Sequence, residues 1–176
     1  MSYKVYTTEA FVLGARDTGE SSRVYTLFTR DLGLVQGYAK SVRMVRSKLK
    51  HHLDGHAYLR VSFVRGAEYW RIIGAEGLLS PGDNFQHIRA YARVFDLLRR
   101  FLGLDDAHTG LFDELANSYK STSHLIWPSK EAGDLEALLA LRTMDHLGYV
   151  ASNERTYKDE ASILASINQA LAVSHL

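Results

Sequence analysis

The chain has 176 residues, is 46% hydrophobic and 23% charged, and carries 21 Lys and Arg against 20 Asp and Glu. That length supplies one ordinary domain or two small ones with ample apolar material for a core, and the balance excludes disordered, collagenous and coiled-coil classes. With no cysteine at all, disulfide frameworks, thiolate zinc sites, iron–sulfur clusters and cysteine nucleophiles are excluded as well. The N-terminal MSYKVYTTEAF has no apolar run behind a basic head, and no stretch approaches the ~20 apolar residues of a membrane span. The expectation is a soluble, cytoplasmic protein with no membrane partner.

From Tyr3 to Glu76 the chain reads as short strands rich in β-branched and aromatic residues, punctuated by glycine. The expected strands are Tyr6–Ala15, Arg23–Thr29, Leu34–Lys40, Ala57–Val64 and Tyr69–Glu76. In the fourth, Ala57, Leu59, Val61 and Phe63 alternate with Tyr58, Arg60, Ser62 and Val64, so one face is apolar. Five strands with a long excursion between the third and fourth suit a five-stranded Greek-key barrel of the OB type. An SH3-like barrel has the same strand count, and periodicity alone does not separate the two.

The turn signal Ser80-Pro81-Gly82-Asp83 ends this half, and beyond it the period becomes helical. Asp83 and Gln86 form a capping box ahead of Phe85, Ile88, Ala92, Phe95, Leu98 and Leu102 at spacings of three and four. A second helix is expected from Thr109 through Tyr119, then a polar loop over Ser118–Pro128. A third spans Leu135–Leu147 and ends at Gly148 in a left-handed cap; a last one opens at Asp159. The fold class is therefore α+β: an all-β barrel over residues 1–80, and a compact all-α part over residues 81–176 serving stability and partner docking.

Cutting at the same turn resolves the near-zero charge. Residues 1–80 hold 12 basic and 7 acidic side chains, a net of +5, whereas residues 81–176 hold 9 and 13, a net of −4. The excess is sharpest from Leu32 to Leu53, where Lys40, Arg43, Arg46, Lys48 and Lys50 occur without one acid. Such a cluster beside an open barrel face neutralises phosphates and releases counterions, an attraction indifferent to base sequence. Tyr38 shares a strand face with Lys40 and is the leading candidate for stacking a base, a contact of ~1–3 kcal/mol. Tyr25, Tyr58 and Tyr69 rank behind it, and each of the four also fits a plain barrel wall. Arg23 fits a phosphate contact or a local ion pair with Glu20 equally well.

No catalytic centre emerges. His52 and His56 have the i, i+4 spacing of helical metal ligands, but Asp54-Gly55 breaks such a helix and no carboxylate completes a set with His51. A metal-dependent hydrolase built on these histidines is thus a distant rival. No Gly-rich phosphate loop or Rossmann fingerprint is present, so neither catalysis, nor cofactor, nor metal, nor small-molecule substrate is expected.

Specific residues carry a resemblance. Gly19-Glu20-Ser21-Ser22-Arg23 leads into Thr26-Leu27-Phe28-Thr29; Gly33, then Ala39-Lys40 with Arg43 nearby, then Ser47-Lys48-Leu49 ahead of Leu53 follow in order. Over roughly residues 7–76 this resembles the recombination mediator family RecO. Leu138-Leu139-Ala140-Leu141-Arg142 running to Leu147-Gly148-Tyr149, and the final Ile167-Asn168-Gln169-Ala170-Leu171, are similar to helices of that family. The resemblance implies an OB-fold that binds single- and double-stranded DNA and a helical second part. It implies a non-catalytic role in DNA repair and recombination: annealing complementary strands and helping the recombinase load on single strands coated by single-strand-binding protein, with RecR a usual partner. Such a protein would be cytoplasmic and nucleoid-associated. Many members carry a four-cysteine zinc finger after the Leu-Gly-Tyr, whereas Val150–Lys158 here has no cysteine and the helical half looks short. The resemblance therefore points to a short, finger-less member. Two rivals stay open on these residues: a protein–protein adaptor with an OB-like barrel, and a generic single-strand nucleic-acid binder.

Overall fold

The computed structural model describes residues 3–53, 55–79, 85–122 and 130–149, with side chains in the first and third helices described from residues 91 and 137 onward. All five expected strands are present: β1 Val5–Thr18, β2 Ser22–Thr29, β3 Gly33–Ala39, β4 Tyr58–Arg65 and β5 Trp70–Leu79. They close into a barrel in the order β1-β2-β3-β5-β4. All its pairings are antiparallel except β3 with β5, which run parallel. This order, with a Greek-key crossover between β3 and β5, fits the OB type, and it separates the two barrels that strand counting left open. β1 is long enough to pair with β4 through its first half and with β2 through its second, bending at an irregularity between Val12 and Gly14.

The barrel interior is filled by the alternation read in the sequence. Val12 of β1, Tyr25 and Leu27 of β2, Val35 and Ala39 of β3, Leu59, Val61 and Phe63 of β4, and Trp70 and Ile72 of β5 all point inward and are buried. Gly37 gives this core its closest approach, since a Cβ there would meet the Ile72 side chain at 2.9 Å. Tyr58 faces outward yet is fully buried, because a helix covers that wall.

That helix is the second of three: α1 Phe85–Phe101, α2 Thr109–Thr122 and α3 Lys130–His146. Phe112 of α2 stacks against Phe11 and Phe28, with centroids 5.4 Å away in each case, and Tyr119 meets Phe11 at 5.3 Å. Tyr119 also donates its hydroxyl to the His56 carbonyl at 2.9 Å. Ahead of α2, Leu104 bridges Leu34 in parallel, and the Asp105 amide donates to the Leu34 carbonyl at 2.9 Å. Gly33 is where the chain lies closest: its φ is +69°, and a Cβ there would run into the Asp106 backbone.

The chain divides into two compact units whose limits differ from the boundary expected at residue 80. One comprises Met1–Gly82 with Leu102–Lys120; the other comprises Asp83–Phe101 with Ser121–Leu176. The helical part expected as a single body over 81–176 thus gives α2 to the barrel. The physical reason is the aromatic wall of Phe11, Phe28 and Tyr58, which Phe112 of α2 covers.

An ion pair reinforces the docking of α2. Arg30, just past β2, donates through Nε and Nη2 to the two carboxylate oxygens of Asp113 at 2.7 and 2.9 Å. The guanidinium holds the Asp113 carboxyl below the usual aspartate range. A carboxyl lowered on folding adds stability above its unfolded pKa, near 4, and that stability is lost as pH falls through the depressed value. Asp113→Asn is expected to lower the melting temperature at neutral pH by about 1–3 °C, the small effect of a half-exposed pair. Thermal scans of both proteins should converge as the pH drops below about 4.

In the second unit, α1 buries the stripe Tyr91, Val94, Phe95 and Leu98, and α3 buries Ala137, Ala140, Leu141 and Met144. α3 starts at Lys130, five residues earlier than expected, and α2 runs through Thr122, so Ser118–Thr122 is helical rather than loop. The left-handed cap at Gly148 is present with φ +77°. The Gly148 and Tyr149 amides donate to the carbonyls of Asp145 and Met144 at 3.0 and 2.9 Å, a Schellman pair. The Asp83 cap, the Val150–Lys158 segment and the closing helix from Asp159 lie outside the described residues.

Candidate nucleic-acid interface

The described residues of the excursion between β3 and β4, 40–53 and 55–57, form a succession of turns rather than a helix or strand. Apolar residues at intervals hold it down: Val42, Leu53 and Ala57 are buried in the barrel core, with Leu49 packed against them. Between these anchors every cation points to solvent. Lys40, Arg43, Arg46, Lys48 and Lys50 are all exposed. The sequence alternates anchors that must be buried with charges that must not be, so the loop can lie only one way on the barrel.

The loop leaves β3 through Ser41, whose φ is +55°. The Ser41 amide and the Tyr38 hydroxyl both donate to Ser22 Oγ, each at 3.1 Å, and the Arg43 amide donates to the Ser21 carbonyl at 2.9 Å. Farther along, the Gly77 amide donates to His52 Nδ1 at 3.2 Å, tying the loop to β5. His52 has a structural contact, and among the described residues no group of three His, Cys, Asp or Glu is placed to hold a metal ion.

Arg23 and Arg43 converge on one acid. Arg23 Nε lies 2.6 Å from Asp17 Oδ1, and Arg43 Nη1 lies 3.2 Å from Asp17 Oδ2. The hydrogen bond from Arg23, helped by the charge of Arg43, holds the Asp17 carboxyl below its ordinary range. The acid facing Arg23 is therefore Asp17, its cross-strand partner in the β1–β2 hairpin, not Glu20 in the turn. Register explains the difference: antiparallel pairing sets residues 17 and 23 opposite each other and carries Glu20 to the tip. Lys40, Arg46, Lys48 and Lys50 have no ion pair among the described residues.

Tyr38 is half-buried on the outer wall, and its hydroxyl is already engaged by Ser22. Tyr25 and Tyr58 are fully buried, so neither offers a face to a base. Tyr69 is half-exposed, with the Arg16 guanidinium 5.7 Å over its ring and Arg16 Nη2 donating to its hydroxyl at 2.9 Å. That contact joins the β1–β2 arm to the β4–β5 turn.

Sequence reasoning missed this second set of cations. Arg71 of β5 sits opposite Tyr38 in the parallel β3–β5 pair, and Arg65 stacks over Trp70 at 4.5 Å while reaching Asp105 at 3.4 Å. The signal was available once the OB order is granted, because that order brings the β1–β2 and β4–β5 turns to one rim beside the end of β3. The rim also holds a cleft of about 220 Å³ whose walls include Gln36, Tyr69, Trp70 and Asp105. It is smaller than the ~300–1,000 Å³ of a typical small-molecule site.

Comparison with known proteins falls on the same part of the chain. Residues 1–80 match the family described as recombination protein O, N terminal. A DNA repair protein RecO of Dehalococcoides mccartyi is 40% identical over 116 residues, which is 64% of this chain and 46% of the relative. Another, from Heliobacterium modesticaldum, is 31% identical over 153 residues, 83% of this chain and 52% of the relative. The chain spans about half the length of the curated relatives it matches. A five-stranded barrel of OB order, a basic excursion after β3 and these matches agree: through residues 1–80 the chain belongs to the RecO family.

Proposed function

We propose that this chain is a non-catalytic DNA-binding mediator of repair and recombination, which anneals complementary strands and assists recombinase loading on single-stranded DNA. The observation that carries the reading is the basic loop, without an acid from residue 40 to residue 53, pinned to an OB barrel whose residues match the RecO N-terminal family. The relatives are named DNA repair proteins, which supports the same role. The mechanism is binding energy without bond making. Exposed Lys and Arg hold two strands by their phosphates, and because those contacts ignore the bases, the bases stay free to pair.

In this reading the barrel carries the DNA, and the residues after 80 serve stability and docking of partners such as RecR and single-strand-binding protein. The work is cytoplasmic, on the nucleoid. Among the described residues no helix is long and apolar enough to cross a membrane. The deciding experiment is annealing of complementary oligonucleotides with and without single-strand-binding protein. Faster annealing of coated strands is the expected result. Salt-sensitive binding without any annealing would reduce the protein to a generic single-strand binder, and no salt-sensitive binding would leave a protein adaptor.

A further inference from the structure

The basic loop carries two side chains that phosphate binding does not explain. Met44 and Val45 stand side by side between Arg43 and Arg46, 57% and 93% exposed. Two large apolar groups side by side in water are costly unless a partner covers them. Their neighbours in the loop obey the opposite rule, since Val42 and Leu53 are each only 1% exposed.

The tip is built rather than slack. The Met44 amide donates to the Ser41 carbonyl at 3.2 Å, and the Ser47 amide donates to the Met44 carbonyl at 3.0 Å, making two consecutive turns. Val45 and Arg46 occupy the corner of the second turn, where side chains project farthest. Behind the tip, Val42 is sunk in the core and the Arg43 amide is fastened to the Ser21 carbonyl. The base of the tip is thus anchored to the barrel, which limits the entropy lost when a partner binds.

The geometry points to an apolar wedge, Met44 with Val45, that enters between neighbouring bases of a DNA strand while the cations beside it hold the phosphates. Charge complementarity selects the occupant. Lys40, Arg46, Lys48 and Lys50 share the loop with these two residues, are exposed, and have no ion-pair partner among the described residues, and no acid occurs between Leu32 and Leu53. A polyanion with flat apolar faces inside it satisfies both features at once. Inserted apolar side chains with flanking cations unstack base steps in this way elsewhere. The inference rests on the DNA-binding reading and adds to it a contact with bases that leaves their pairing edges free.

The test uses the full chain and an oligonucleotide carrying 2-aminopurine between adenines, a base analogue that is dim when stacked and bright when unstacked. Wild type is expected to bind and raise the fluorescence. Met44→Ser combined with Val45→Ser alters only exposed side chains, so the fold is kept, which circular dichroism checks. This variant should keep the salt slope of wild type, lose affinity on the order of tenfold, and leave the fluorescence dim. Binding by wild type with no rise in fluorescence, or a double variant matching wild type, overturns the wedge while leaving phosphate binding intact. Absence of salt-sensitive binding by wild type removes the DNA reading and the wedge together.

Discussion

Replacing Arg43, Arg46 and Lys48 together with alanine is expected to flatten the salt dependence of single-strand binding and to weaken binding to all sequences alike. Each phosphate neutralised on a single strand contributes about −0.7 to the slope of log K against log salt. Five contacts from Lys40, Arg43, Arg46, Lys48 and Lys50 give a slope of roughly −3.5, and two remaining contacts give roughly −1.4. Between 50 and 200 mM salt, wild type should therefore lose affinity on the order of 100-fold and the variant less than about 10-fold. Fluorescence anisotropy with labelled oligonucleotides across a salt series measures both. All three side chains are exposed, so folding is not at stake. An unchanged slope would place the binding face elsewhere on the barrel.

Phe112→Ala is expected to give the largest loss of stability. The ring is fully buried against Phe11, Phe28 and Tyr58, at centroid distances of 5.4, 5.4 and 6.4 Å. Removing such a side chain typically costs about 3–5 kcal/mol, from lost transfer energy plus the cavity left behind. Against a total stability of about 5–15 kcal/mol that is a large fraction. Denaturant unfolding followed by circular dichroism should show the midpoint fall, whereas Leu104→Ala, an exposed position on the segment leading into α2, should shift it by at most ~0.5 kcal/mol. Equal effects at both sites would mean that α2 contributes little to holding the barrel wall.

The barrel was legible because its inner face obeys a period of two: Leu59, Val61 and Phe63 are apolar, and the residues between them are not. The basic loop was equally plain, since exposed charge needs no tertiary knowledge to be noticed. Tyr58 shows where that legibility stops. Its position in the alternation marks it as outward, and only the arrival of α2 from fifty residues downstream buries it. The same holds for Arg23, whose partner is set by hairpin register and not by nearness in sequence. Arg16 and Arg71 become recognisable as rim residues only through the OB strand order, because they come from strands that barrel closure brings near β3. The polarity of Ser118–Pro128 predicts a loop after a helix that ends at Tyr119, yet α2 continues through Thr122, which is buried facing the Tyr91 hydroxyl. Long-range packing overrode local composition there.

The two compact units are interleaved along the chain: barrel, then α1, then α2, then α3. The polypeptide passes from one unit to the other three times, near residues 82, 101 and 120. No single peptide-bond cleavage can therefore release either unit as a continuous piece. A single cut near residue 80 would leave the five strands covalently separate from the helix that shields Phe11, Phe28 and Tyr58, with only noncovalent packing keeping it there. During synthesis the strands emerge first and must wait for residue 122 before that wall is covered, which makes the half-made chain the form most exposed to aggregation.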